Sequence, residues 1–332
     1  MLSLRHKIVK KLPQLLRQLS TEKHTCEEVK IPAPWGHITG KWWGPQDKRP
    51  ILCCHGWQDN CGSFDTLIPL LPSHLGYLAI DFPGHGHSTQ LPPGIFYHGI
   101  DSVVIVKRII DYFNWSKVSL LGHSLGAITC YQYGLLYPDT MDFLVCLDSF
   151  KPLVHEDRKI ERMVRTVQNF LKYDQLNSLK GEPPCYTFDV LEKMLHEGTR
   201  KSIALESCKY ILERNIAPST NEPGKYYFKR DGRLKVSILL GWAQKDIIES
   251  ISRITYPVFI SKATQSPFFE NKEHVSEVLE VIRKVNKDFE YHSVEGTHHV
   301  HLNNPERLGG LISGFIKKYD NADRSDGGLK LS

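Results

Sequence analysis

The chain has 332 residues, 42 Lys+Arg against 37 Asp+Glu for a formal net charge of +5, and 41% hydrophobic residues. These values describe an ordinary globular protein large enough for one big core plus an insertion, and they exclude a disordered or low-complexity chain. The charges are interleaved without an aromatic-basic stripe, which speaks against nucleic acid as a partner, and no apolar run approaches the length of a membrane span, so a soluble protein is predicted.

Residues 1–25 hold Arg5, Lys7, Lys10, Lys11 and Arg17, with Leu4, Ile8, Leu12, Leu15 and Leu19 at helical spacing and Pro13 interrupting the pattern. Two readings stand: a targeting helix of mitochondrial type, or a helix lying on the domain with a solvated basic face. The cysteines, at 26, 53, 54, 61, 130, 146, 185 and 208, form no C-x-x-C pair. Free thiols in a reducing compartment are predicted, with cytoplasmic location ahead of a mitochondrial, peroxisomal or vesicle-associated one. The chain ends Lys-Leu-Ser, which is not the Ser-Lys-Leu peroxisomal signal.

From Cys26 the β signals begin. EEVKIPA and Gly36–Trp43 alternate, whereas Ile51–Cys54 is continuously apolar, the pattern of an antiparallel edge hairpin leading into a buried parallel strand. That strand runs into His55-Gly56-Trp57-Gln58-Asp59-Asn60, a turn of the kind that frames an oxyanion-binding loop. Trp57 is therefore assigned one backbone donor, with His55 and Gly56 as support for the loop. An amphipathic stretch (63–71), a strand (77–80) and the tight loop Asp81–Ser88 follow, in which Asp81 is read as a loop organiser. A helix is predicted over 100–114.

Next comes Val118–Ala127, VSLLGHSLGA, an apolar strand running through Gly122-His123-Ser124-Leu125-Gly126 into a helix. This is G-x-S-x-G in the strand-turn-helix setting that exposes a serine hydroxyl. Ser124 is the candidate nucleophile, Gly122 and Gly126 permit the sharp turn, and the N–H of Leu125 is the second oxyanion donor. A strand over 143–147 then ends in Asp148-Ser149. Over 150–254 the alternation lapses into helix-leaning sequence with Pro-rich breaks, read as a cap inserted between two parts of one core, 26–149 and 255–319. Of the cap aromatics Phe170, Tyr186, Phe228 and their neighbours, most are expected in the cap's own core and some along an apolar acyl pocket. Strand 257–262, helix 272–285, strand 289–294, the turn Glu295–Glu306 and a final helix to Tyr319 complete the core, and the tail 320–332 is read as disordered.

The segments HGWQDN, DFPGHGHS, LLGHSLG and EGTHHVHLNNPE, in this order and spacing, resemble the α/β-hydrolase fold superfamily, and most narrowly the serine hydrolase-like proteins. The resemblance covers residues 26–319 and is weakest across the cap. It implies a mostly parallel sheet with helices on both faces, and among His298, His299 and His301 it selects His298 as the general base. It also exposes a departure. After the strand 257–262, related enzymes carry an acidic residue just before a proline, where this chain has Ser266. Asp148 stands at the alternative place for the triad acid, with Glu270 as a remote competitor. The implied activity is hydrolysis of a carboxylic ester, thioester or amide through an acyl-enzyme, on a small-molecule substrate with an apolar acyl part, without metal or organic cofactor. The second reading is a catalytically weak binding or signalling protein on the same fold, motivated by the serine at 266. Contact between Asp148 and the His298 ring discriminates the two.

Overall fold

The computed structural model describes residues 25–154, 159–179, 181–236, 241–320 and 323–326. The basic segment read at 1–25 lies almost entirely outside the described residues. Strands β1 (Cys26–Ala33), β2 (Gly36–Trp43), β3 (Ile51–Cys54) and β4 (Tyr77–Ile80) are followed by α1 (Gly99–Tyr112), β5 (Val118–His123), α2 (Leu125–Leu136) and β6 (Met141–Leu147). A long segment then carries α3 (Lys159–Asn177), α4 (Phe188–Gly198), α5 (Cys208–Asn215), the short hairpin β7 (Ile216–Pro218) and β8 (Tyr226–Phe228), and α6 (Gln244–Ser250). The chain closes with β9 (Val258–Ala263), α7 (Lys272–Val285), β10 (Phe289–Val294), α8 (Val300–Asn303) and α9 (Glu306–Tyr319).

Eight strands form one sheet in the order β1-β2-β4-β3-β5-β6-β9-β10. The pairs β1–β2 and β2–β4 are antiparallel and all the others parallel. The edge hairpin and the mostly parallel sheet expected from the patterning are both present. The reason is visible in β5, where VSLLGH is buried at every position because helices cover both faces of the sheet. Alternate residues of β3 separate the two layers. Leu52 and Cys54 join the core under α1, α2, α6 and α7, whereas Ile51 and Cys53 join the core under α9 and the 61–71 segment. That segment, amphipathic in sequence, folds as two 3-10 turns around Pro69.

The parallel register places the strand ends side by side. His123 pairs with Leu147, and Leu147 with Ser261, so Ser124 and Asp148 leave adjacent strands at one edge of the sheet. The segment between β6 and β9 builds its own small core from Leu191, Leu195, Ile203, Ile211 and Leu212, with Tyr186, Tyr226 and Phe228 packed against it. Phe170 is buried, while Phe188 is 38% exposed.

One expectation needs correction. The polar composition predicts a disordered tail from residue 320 onward, but the described residues 323–326 are docked. The Arg324 guanidinium reaches Asp320 and Ser119, and Arg49 donates to Asp326 at 2.8 Å. Polar composition misled because these residues close a buried charge network under β3 and β6, which includes the Arg49–Asp142 ion pair.

Candidate active site

The elbow forms as its glycines require. Ser124 sits at φ 51° and ψ −116°, outside the regions that L-residues favour. Its N–H donates to the carbonyl of Leu147 at 3.0 Å, which pins the turn to the neighbouring strand. A Cβ at Gly126 would lie 2.0 Å from the Cys54 carbonyl oxygen, and one at Gly122 would lie 2.5 Å from the backbone of Ala127. Any side chain at either place would force the strand and helix apart.

The three triad candidates converge. Ser124 Oγ donates to His298 Nε2 at 2.9 Å, and His298 Nδ1 donates to Asp148 Oδ2. Asp148 Oδ1 accepts from the Ala263 N–H at 2.7 Å and from Lys262 Nζ at 3.1 Å, while the Ser266 hydroxyl donates to Oδ2. Burial pushes the Asp148 carboxyl up, but the His298 hydrogen bond and the charges of His298 and Lys262 outweigh it, so its pKa falls below the usual range. Burial pulls the His298 imidazole down to about 4, against the Asp148 hydrogen bond and together with the neighbouring His123 and His299. At neutral pH the ring is therefore uncharged and able to accept a proton.

Among the described residues, the backbone N–H groups of Trp57 and Leu125 donate to no protein acceptor. The Trp57 loop is held rigidly. Phe82 N–H donates to His55 Nε2 at 3.0 Å, so Nδ1 carries the proton and donates to the Gly56 carbonyl at 2.7 Å. His55 thus links the turn to the backbone at Phe82. Asp81 is a buried anchor, accepting from Cys61 N–H at 2.8 Å, His87 N–H at 2.9 Å and Arg214 Nη2 at 2.7 Å.

Residues 49–305 match the alpha/beta hydrolase fold family. The chain belongs to it. Among its relatives, a "Probable serine hydrolase" of Drosophila melanogaster is 36% identical over 88% of each chain, and a "Serine hydrolase-like protein" of Danio rerio is 31% identical over 90% of each. Among solved structures, a hypothetical protein from Pseudomonas aeruginosa PAO1 superposes with a TM-score of 0.76 at 26% identity, covering 89% of this chain and 100% of that one. A thioesterase domain from the curacin biosynthetic pathway shares the fold, with a TM-score of 0.71 at 21% identity over 87% of this chain and 99% of that one. Fold and relatives together support a hydrolase.

In this α/β hydrolase the remaining competitors have other partners. Glu270 takes both its carboxylate oxygens to Lys151 Nζ, at 2.6 and 2.8 Å, and accepts from Val154 N–H, so it is not available to His298. His301 is fully buried with neither ring nitrogen bonded among the described residues. His299 lies between Ser202 and Asp59, with Nδ1 2.7 Å from the Ser202 hydroxyl and Nε2 3.3 Å from both Asp59 oxygens. Sequence reading missed this Asp59 cluster, which includes His123 and offers three donor atoms within 4.8 Å of one another. It also missed Lys262. Neither has a local signature, since the partners come from separate strand ends.

A cavity of about 940 Å³ opens against His298, lined by Trp57, Tyr173, Leu176, Tyr186, Met194 and Phe269 among others. Most of its apolar lining comes from the segment between β6 and β9. No described helix is long and apolar enough to cross a membrane.

Proposed function

We propose that this chain is a serine hydrolase that cleaves a carboxylic ester, thioester or amide through an acyl-enzyme on Ser124. The observation that carries the reading is the unbroken line Ser124 Oγ, His298 Nε2 at 2.9 Å, then Nδ1 to Asp148, aimed from the ends of three strands. Ser124 Oγ bonds to the acyl carbon while His298 takes its proton. The carbonyl oxygen becomes an oxyanion against the free N–H groups of Trp57 and Leu125. His298 then protonates the departing alcohol, thiol or amine, and water deacylates the serine by the same route. Asp148, held anionic by Lys262, Ser266 and the Ala263 N–H, fixes the ring tautomer and offsets the imidazolium that forms.

The segment 150–254 serves as a cap whose aromatic and aliphatic side chains form the acyl-binding wall of the cavity. Eight free cysteines fit a reducing, cytoplasmic setting. The binding-only reading rests on the serine at 266. A carboxylate in contact with His298 favours catalysis instead, and Ser266 becomes a hydrogen-bond donor to that carboxylate. The test is fluorophosphonate labelling of wild type, Ser124→Ala, His298→Ala and Asp148→Asn, followed by an ester panel of increasing acyl length. Labelling of wild type that survives in folded Ser124→Ala would remove the proposal.

A further inference from the structure

The three loops that carry the first oxyanion donor, the nucleophile and the base meet behind the triad at Asp59, His123 and His299. These residues are 4%, 0% and 6% exposed. His123 Nε2 lies 2.9 Å from the carbonyl oxygen of His298. A carbonyl only accepts, so Nε2 carries the proton, and in the neutral ring Nδ1 is left with its lone pair. That Nδ1 faces Asp59 Oδ2 at 3.3 Å, and it has no hydrogen-bond partner among the described residues. In that tautomer two electron-pair donors face each other in a buried pocket bordering the large cavity, an arrangement that repels unless a proton or a metal cation stands between them.

The spacing argues for which cation. A proton shared between ring and carboxylate draws them to about 2.7–2.9 Å in a straight line. Here the gap is 3.3 Å and the geometry is not that of a hydrogen bond. His299 Nε2 is within long hydrogen-bond reach of both Asp59 oxygens, at 3.3 Å each, and the three facing atoms of Asp59, His123 and His299 lie within 4.8 Å of one another. Bonds of about 2.05 Å at tetrahedral angles put neighbouring ligand atoms about 3.3 Å apart. We propose that Asp59, His123 and His299 form a site for one divalent transition cation of the zinc type.

The surroundings are those of a prepared metal site. Both histidines have their far nitrogens engaged, His123 with the His298 carbonyl and His299 with the Ser202 hydroxyl at 2.7 Å, and a hydroxyl can accept the Nδ1 proton that ligation by Nε2 requires. Gly56 supplies the room. A Cβ there would stand 2.8 Å from Asp59 Oδ2 and 2.9 Å from His123 Nδ1, pressing on both ligand atoms. Asp59 and His299 also line the large cavity, which gives an entry path and a fourth position for water. Two imidazoles and one carboxylate select zinc, cobalt or nickel over magnesium and calcium, which take oxygen ligands. The bound ion would tie residues 55–60, the elbow and the turn after β10 into one unit. Such a tie holds the His298 backbone through His123.

The test uses the full chain, stripped with a chelator and titrated with Co2+. The expected result is a visible d–d spectrum of a tetrahedral nitrogen–oxygen site saturating at one equivalent, displaced by Zn2+ and untouched by Mg2+ or Ca2+. Zinc at a hundredfold excess over its Kd should raise Tm by about 4 °C. Asp59→Asn and His299→Ala, checked for folding by circular dichroism, should lose the spectrum. Where a variant does not fold, zinc-edge absorption on the loaded wild type decides, with two imidazoles, a carboxylate and no sulfur expected. Absence of a saturating tetrahedral spectrum in wild type overturns the proposal. So does sulfur in the zinc shell, or unchanged binding in either folded variant, and the Asp59–His123 pair is then a protonated ion pair.

Discussion

Relocating the proposed triad acid tests the reading of Asp148 more sharply than deleting it. In Asp148→Asn the amide presents an N–H to His298 Nδ1 and favours the tautomer with its proton on Nε2, so Ser124 faces a donor rather than a base. A triad that acts as a unit then loses roughly 10⁴-fold in kcat/KM, or about 5.4 kcal/mol. The geometry offers a way back. Ser266 Oγ is 3.4 Å from His298 Nδ1 and 3.0 Å from Lys262 Nζ, so an aspartate at 266, one bond longer, brings a carboxylate oxygen into hydrogen-bond reach of the ring beside a cation that balances it. The double variant Asp148→Asn/Ser266→Asp should recover about 10²-fold of the lost 10⁴, since it restores the tautomer while losing the anchoring N–H of Ala263. The assays are kcat/KM on a chromogenic ester and the second-order rate of fluorophosphonate labelling, with circular dichroism as the control for folding. A folded double variant no faster than Asp148→Asn would show that a carboxylate leaving β9 does not replace one leaving β6, and the argument from adjacent strand ends would fail.

Further consequences follow from the same geometry. Gly126→Ala should yield no soluble folded protein, because its Cβ would meet the Cys54 carbonyl at 2.0 Å and that of His55 at 2.7 Å; soluble expression with native circular dichroism would contradict the packing. Lys262→Met removes one cation from Asp148 and leaves the Ala263 and Ser266 donors, so kcat/KM should fall about tenfold with KM nearly unchanged, as measured on the ester panel. Asp81 is fully buried, and although burial pushes its carboxyl up, Arg214 and the N–H donors of Cys61 and His87 hold its pKa below the ordinary value. A lowered folded pKa gives stability that is present above about pH 4 and is lost as pH falls toward the folded value. Arg214→Gln should therefore destabilise the fold by about 3–5 kcal/mol at neutral pH and move acid unfolding to higher pH. An unchanged acid midpoint would show that Arg214 does not hold Asp81 ionised.

What was legible in the sequence was what neighbours in the chain determine. G-x-S-x-G needs its two glycines within four positions because strand and helix pack against that turn, so Ser124 carried its own context, and β3, β5 and β6 were readable because strands buried on both faces are mostly apolar. The proposed acid was harder. Asp148 and Ser266 lie at the ends of neighbouring strands in one register, and only the sheet order, which brings Leu147 beside Ser261, makes them alternatives for one ring. Contacts that need three separate strand ends left no signal at all. Asp59, His123 and His299 are spread over most of the chain, and His123 fills the variable position of the motif, where a sequence reading assigns no role. The same reasoning explains the tail, whose polar composition resembles that of a solvated chain until Arg49, Asp142 and Asp320 are known to lie beneath it. Polar residues far apart in the chain take on meaning only through the partners the fold delivers, which is why the candidate nucleophile has a local signature and the groups around its proposed base have none.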